Sequence, residues 1–243
     1  MPVCLLIGAG PGVGEAIARR FATGGYSIGL MARDAAKLEA MAERLSGAGT
    51  TVAWHAADAG DAVGLEGALT ALTDTLGPCD ALIYNAAVLK PATALELETD
   101  RIEAELSVNL LGAHRAAKFV APGMVERGRG AILFTGGGLA LEPFPEWTSL
   151  ALGKAALRSL SLSLYKELAP RGVHVSVIAI CGIVAPDGPF DPDLIAAEYW
   201  RVATAPGGIE DREVILQPAG TDPFYNDPER LHAETSLLPE HAR

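Results

Sequence analysis

The chain has 243 residues, with 19 Lys+Arg against 30 Asp+Glu, a formal net charge of −11 and a hydrophobic fraction of 49%. At about 150 residues per domain, this length predicts one large domain or two small ones. The acidic balance disfavours nucleic acid or an anionic membrane as partner, since both call for a basic face. It leaves an anionic cofactor open, because backbone N–H groups hold phosphate without net positive charge. No apolar run approaches the roughly 18 residues of a spanning helix. The opening residues MPVCLLIGAG carry no basic stretch, so no signal peptide is expected there. Cys4, Cys79 and Cys181 are too few and too scattered for a disulfide framework or a metal site, and are expected as small core residues. The expectation is a globular, cytoplasmic protein acting on a small molecule, with no metal.

Short apolar runs alternate with longer amphipathic stretches. Strands are predicted over residues 3–7, 27–31, 51–55, 81–84, 131–135, 173–179 and 213–217. Most of these runs are uninterrupted, as in a parallel sheet covered on both faces. Helices are predicted over 13–22, 35–45, 62–76, 101–126, 150–168 and 193–203. The alternation implies a single doubly wound α/β domain over 1–217, with a mostly parallel seven-stranded sheet and helices on both faces. After Pro186 the composition shifts: seven of the sixteen prolines lie in 187–243, and 218–243 is expected to be an irregular arm.

Gly8-Ala9-Gly10-Pro11-Gly12-Val13-Gly14 lies directly between the first strand and the first helix. That is the context of a Rossmann-type dinucleotide turn. Gly8 allows the tight turn, Gly12 lets a pyrophosphate approach the backbone, and Gly14 lets helix and strand pack closely. The helix N-terminus adds N–H donors and a partial positive charge. A carboxylate at the tip of the second strand would favour NAD by accepting from the ribose 2′-hydroxyl. Here the tip reads Ala32-Arg33-Asp34. The Arg33 guanidinium suits a 2′-phosphate, and Asp34 reads as the cap of the next helix. The expected cofactor is therefore NADP(H).

With these motifs in place, residues 3–185 resemble the short-chain dehydrogenase/reductase family. The spacing Gly8-x-x-x-Gly12-x-Gly14 is similar to that family's fingerprint, and Asp58 matches its adenine-contacting acid. Tyr84-Asn85-Ala86-Ala87 takes the place of the usual Asn-Asn-Ala-Gly. Asn109 matches the asparagine that holds a water in the proton relay. Lys154 matches the lysine that binds the nicotinamide ribose. The resemblance implies cofactor contacts from Gly8, Gly10, Pro11, Gly12, Val13, Gly14, Arg33, Asp58, Asn85, Ala86 and Lys154, and from Gly182 and Val184 after the sixth strand. Lys154 also stands out by spacing. It shares one helical face with Leu150, Leu157, Ser161, Leu164 and Leu168, where an ammonium is costly unless paired. Asn109, inside a helix, must likewise satisfy its amide.

The resemblance breaks where the substrate would sit. The family's tyrosine, four residues before the lysine, is Leu150 here, and its serine, thirteen residues earlier still, is Gly137. Leucine cannot transfer a proton. Ser149, Thr148 and Thr135 are poor donors at neutral pH. Tyr165 is about three helical turns from Lys154, too far to substitute. Tyr199, on the later helix that borders the substrate pocket, is a candidate acid, unless it packs beside Trp200. The link over 185–192 is short for a lid, so water exclusion is expected to be poor. Three readings stay open: an atypical NADP(H)-dependent oxidoreductase with Asn109, Lys154 and Tyr199 in its site, a silent cofactor-binding sensor or partner subunit, and a non-redox enzyme on the same fold. The small row Ala151, Ala155, Ser159 and Ser163, together with the family's habit of pairing through this helix, implies a homodimer or homotetramer.

Overall fold

The computed structural model describes residues 1–205 and 211–217. Its strands are β1 (Val3–Ile7), β2 (Ser27–Ala32), β3 (Val52–Ala56), β4 (Ala81–Tyr84), β5 (Gly130–Thr135), β6 (Val173–Ile180) and β7 (Glu213–Leu216). Between them run α1 (Val13–Thr23), α2 (Ala35–Gly47), α3 (Ala62–Leu76), α4 (Thr99–Leu106), α5 (Ala113–Arg127), α6 (Thr148–Leu168) and α7 (Pro192–Thr204). All neighbouring strands pair in parallel, in the order β3-β2-β1-β4-β5-β6-β7. This is the expected doubly wound sheet. The arm expected over 218–243 lies outside the described residues.

The uninterrupted apolar strands follow from coverage on both faces. On one face Leu65 and Leu69 of α3, Ala116 of α5 and Leu157 of α6 close a core over the sheet. On the other, Ile17 and Phe21 of α1, Leu38 of α2 and Ile195 of α7 close a second. The three cysteines are buried and free. Asp34 caps α2 by accepting from Lys37 N at 3.1 Å, as the sequence implies. No helix among the described residues is long and apolar enough to cross a membrane.

One expectation needs correction. The single helix predicted over 101–126 is two helices joined by a π-helical turn, Ser107–Gly112. The cause is a contact distant in sequence: Tyr84, at the end of β4, donates its hydroxyl to the carbonyl of Val108 at 2.5 Å. A hydroxyl bonded to this carbonyl competes with the ordinary helical ladder, and a wider π turn accommodates it.

Candidate active site

The strand order reverses at β1, which pairs with β2 on one side and β4 on the other. In such sheets a crevice opens beyond the carboxyl ends of the strands at this point. The glycine loop occupies it. Gly8 and Ala9 donate to the carbonyl of Met31 at 2.8 and 3.1 Å, which folds the chain sharply back over β2. Gly8 has φ +92°, and a side chain there would run into the backbone of Ala86. A Cβ at Gly14 would sit 2.7 Å from the carbonyl oxygen of Gly8, so helix and strand meet only because it is absent. Gly12, at φ +80°, caps α1 with no side chain over the helix end. Nothing lies within 4 Å of where a Cβ of Gly10 or Gly12 would stand. The loop is therefore open backbone at a positive helix end, which fits a pyrophosphate.

Two adjoining clefts share Asn85 and Ala87. The smaller, about 230 Å³, is bordered by Gly8, Gly10, Arg33, Asp58, Asn85 and Ala86. Arg33 is exposed and makes no ion pair or hydrogen bond among the described residues, so its guanidinium is available to a ligand. Asp58 accepts from Gly60 N at 2.8 Å, which fixes its carboxylate at the rim. The larger cleft, about 900 Å³, brings Pro11, Gly12, Val13 and Gly14 together with Lys154, and Gly182 and Val184 close its far side. Every residue expected to touch cofactor thus borders one cleft or the other.

The floor between the clefts is a hydrogen-bonded chain. Asn85 Nδ2 donates to Gly8 O at 2.9 Å, and Thr135 Oγ1 donates to Asn85 Oδ1 at 2.9 Å. Tyr199 in turn donates its hydroxyl to Thr135 Oγ1 at 2.7 Å. Lys154 Nζ donates to the main-chain oxygen of Thr135 at 2.5 Å. Burial lowers the Lys154 pKa to about 8. The sequence marked Thr135 only as a weak donor. Its place at the carboxyl end of β5, on the crevice, was the available signal.

One candidate residue lies elsewhere than expected. Tyr199 does not border the described cleft lining; it is 0% exposed and packs in the core beneath α7. Burial raises its pKa, and its proton is committed to Thr135. Trp200, on the neighbouring face, instead meets Phe21 and Tyr26 edge to face. Asn109 is buried in the π turn, and its amide closes on one residue: Oδ1 accepts from Val88 N at 2.7 Å and Nδ2 donates to Val88 O at 3.4 Å. Its amide is thus satisfied within the fold, as its place inside a helix requires.

Leu150 and Gly137 both border the larger cleft. A Cβ at Gly137 would meet Ile180 O at 3.8 Å and the Lys154 stem at 3.9 Å, so the space for a small side chain is open. Ser149, one residue earlier, is buried away from that lining and its hydroxyl has no partner among the described residues. The remaining walls are apolar: Leu89 after β4, Leu139, Phe144 and Trp147 after β5, and Ile183 after β6. The link after β6 folds back on itself. Phe190 packs against Gly182, and Asp191 caps α7 while also accepting from Asp187 N at 2.8 Å.

Comparison with known proteins agrees with this geometry. A family model described as short chain dehydrogenase matches residues 2–188. The chain is 30% identical over 208 residues to 2,3-dihydro-2,3-dihydroxybenzoate dehydrogenase of Bacillus subtilis (strain 168), covering 86% of this chain and 76% of that protein. A metagenomic short-chain oxidoreductase solved in complex with NADP is similar at TM-score 0.82 and 29% identity, over 90% of this chain and 97% of that one. An alcohol dehydrogenase from the archaeon Thermococcus sibiricus, complexed with 5-hydroxy-NADP, is similar at TM-score 0.82 and 26% identity, over 93% of this chain and 100% of that one.

Proposed function

The chain belongs to the short chain dehydrogenase family, and we propose that it is an NADP(H)-dependent oxidoreductase of a carbonyl or alcohol whose active site departs from the family's usual one. The observation that carries this reading is the position of Lys154. It is the single titratable side chain among the described residues of the larger cleft, beside the open space at Gly137. Bound NADP(H) supplies or takes up the hydride. The glycine loop holds its pyrophosphate, Arg33 its 2′-phosphate, and Asp58 the adenine rim.

The protein's own task is to hold and move one proton. With a pKa near 8, Lys154 is mostly protonated at neutral pH yet releases its proton more readily than an ordinary lysine. Its Nζ donates to Thr135 O and keeps two further N–H bonds for a ligand oxygen. Thr135 is itself held by Asn85 and Tyr199, so Tyr199 acts as a positioning residue. Asn109 has a similar part through Val88. The working unit is a homodimer or homotetramer with α6 at the contact.

A second reading is a cofactor-binding sensor or partner subunit without turnover. Leu150 supports it, since it fills the place from which the family's proton donor acts. One experiment separates the two: NADPH and NADH binding by calorimetry, followed by ketone, aldehyde and alcohol panels followed through nicotinamide absorbance. Turnover that is lost in Lys154→Met while NADPH still binds supports the enzyme. Tight binding with no turnover on any compound supports the silent protein, and no binding of either nucleotide overturns both.

A further inference from the structure

From the lining of the larger cleft we infer the class of substrate: an uncharged carbonyl compound or alcohol with an apolar body, its oxygen toward Lys154 and its body against Leu89, Leu139, Phe144 and Trp147. This rests on the reading of the cleft as a substrate site. Three side chains on the described lining carry polar atoms able to meet a substrate group: Asn85, Thr135 and Lys154 (the Trp147 indole aside). The first two are engaged with the fold itself, since Asn85 bonds Gly8 and Thr135, and Thr135 also accepts from Tyr199. That leaves Lys154 Nζ, which keeps two N–H bonds to divide between the nicotinamide ribose and a single substrate oxygen.

Apart from the Trp147 indole N–H, the other side chains of the described lining offer dispersion contact and no hydrogen bonds. A carboxylate or phosphate tail would lose its hydration there without compensation. A polyol would leave several hydroxyls unpaired, which a site of this kind rejects strongly. An alkyl or aryl body has the opposite balance, because each methylene moved from water onto these walls favours binding. The volume, about 900 Å³, falls within the range of small-molecule sites and leaves room for such a body beside a nicotinamide.

The test is binding in the full chain, read by intrinsic fluorescence and calorimetry, with a series of straight 2-alkanones from five to nine carbons as probes. The measurements are made without nucleotide and again with NADP+, which cannot reduce a ketone. Trp147→Phe identifies the reporting indole. Affinity is expected to rise about two- to fourfold per added methylene, and, with NADP+ bound, 8-oxononanoate (the same methyl ketone with a carboxylate at the far end) and xylitol are expected to bind at least tenfold more weakly than 2-nonanone. Leu89→Asp, at a position 63% exposed and so tolerant of charge, is expected to weaken 2-nonanone at least tenfold and leave NADPH affinity within twofold. No ketone binding, no dependence on chain length, or equal binding of 8-oxononanoate or xylitol with NADP+ present overturns the inference. NADPH titrated into the same samples keeps the two readings apart: ketone binding without NADPH binding removes the cofactor assignment alone, and the reverse removes this one alone.

Discussion

Lys154 Nζ rests on the carbonyl oxygen of Thr135 at 2.5 Å, and burial is the one cause that moves its pKa, down to about 8. No carboxylate among the described residues offsets the desolvation. The sign of the effect on stability follows. An unfolded lysine titrates near 10.4, so between pH 8 and about 10.4 the folded chain binds fewer protons than the unfolded one, and stability rises with pH across that window. Below pH 8 the penalty is fully present. Lys154→Met, which keeps the stem and removes the charge, is expected to stabilise the nucleotide-free protein by on the order of 2–3 kcal/mol at pH 7. The gain should shrink toward zero by about pH 10.5. Denaturant melts of both proteins from pH 7 to 10.5 check it; a difference that stays constant would show that the ammonium is not desolvated.

Arg33 tests the cofactor. It is exposed, borders the smaller cleft and makes no bond among the described residues, while Asp34 beside it is occupied as a helix cap. Arg33→Ala is expected to weaken NADPH by about 1–3 kcal/mol, the range for a lost charge-assisted bond, and to leave NADH nearly unchanged. Calorimetric titration of both nucleotides measures this, and equal losses would remove the 2′-phosphate assignment.

Gly137 and Leu150 test the chemistry. The backbone of Gly137 is extended, at φ −178°, and a side chain there finds space beside Lys154. Serine is therefore expected to fit without strain. Leu150 borders the same cleft, so a tyrosine ring in its place would extend toward Lys154. The double variant Gly137→Ser with Leu150→Tyr is expected to raise carbonyl reduction by 10²-fold or more, within the roughly 10²–10⁴-fold range of a positioned acid. Initial rates with NADPH and a ketone panel decide it. A wild-type rate already equal to that of the double variant would mean that the native donor is fully effective.

Much of this site could be read from local pattern. Continuous apolar strands carried the parallel sheet, and the glycines marked the crevice. The spacing of Lys154 among Leu150, Leu157 and Ser161 predicted its burial. The errors have a common physical origin in contacts distant along the chain. The π turn depends on Tyr84 reaching Val108, 24 residues away, and no helical periodicity encodes that. Thr135 gains its importance from Asn85, Lys154 and Tyr199, each on a different element. Tyr199 had a legible signal: it shares a face with Ile195 and Val202, both buried, and that spacing places it in the core. The apolar walls come from short segments after β4, β5 and β6, where no periodicity exists to read.

Assembly tests the remaining face of α6. Ala155, Ser159 and Ser163 are exposed at four-residue spacing, while Ala151, the first of that row, is buried within the chain. One turn before Ala155, Leu152 is 46% exposed, an apolar side chain on a face that otherwise carries small ones. Ser163 donates its hydroxyl back to the carbonyl of Ser159 at 3.0 Å, so covering it leaves no unmet donor. Small side chains let a second helix approach closely with interleaved ridges, and a two-fold axis would place the same row against itself. A dimer or tetramer is expected at micromolar concentration. Ala155→Arg would set two guanidinium groups near the axis with no carboxylate on that row, and is expected to weaken association at least tenfold while leaving the fold intact, because the position is exposed. Sedimentation velocity with circular dichroism on both proteins reads the two effects separately. A monomeric wild type, or a variant that associates as strongly, would place the contact elsewhere.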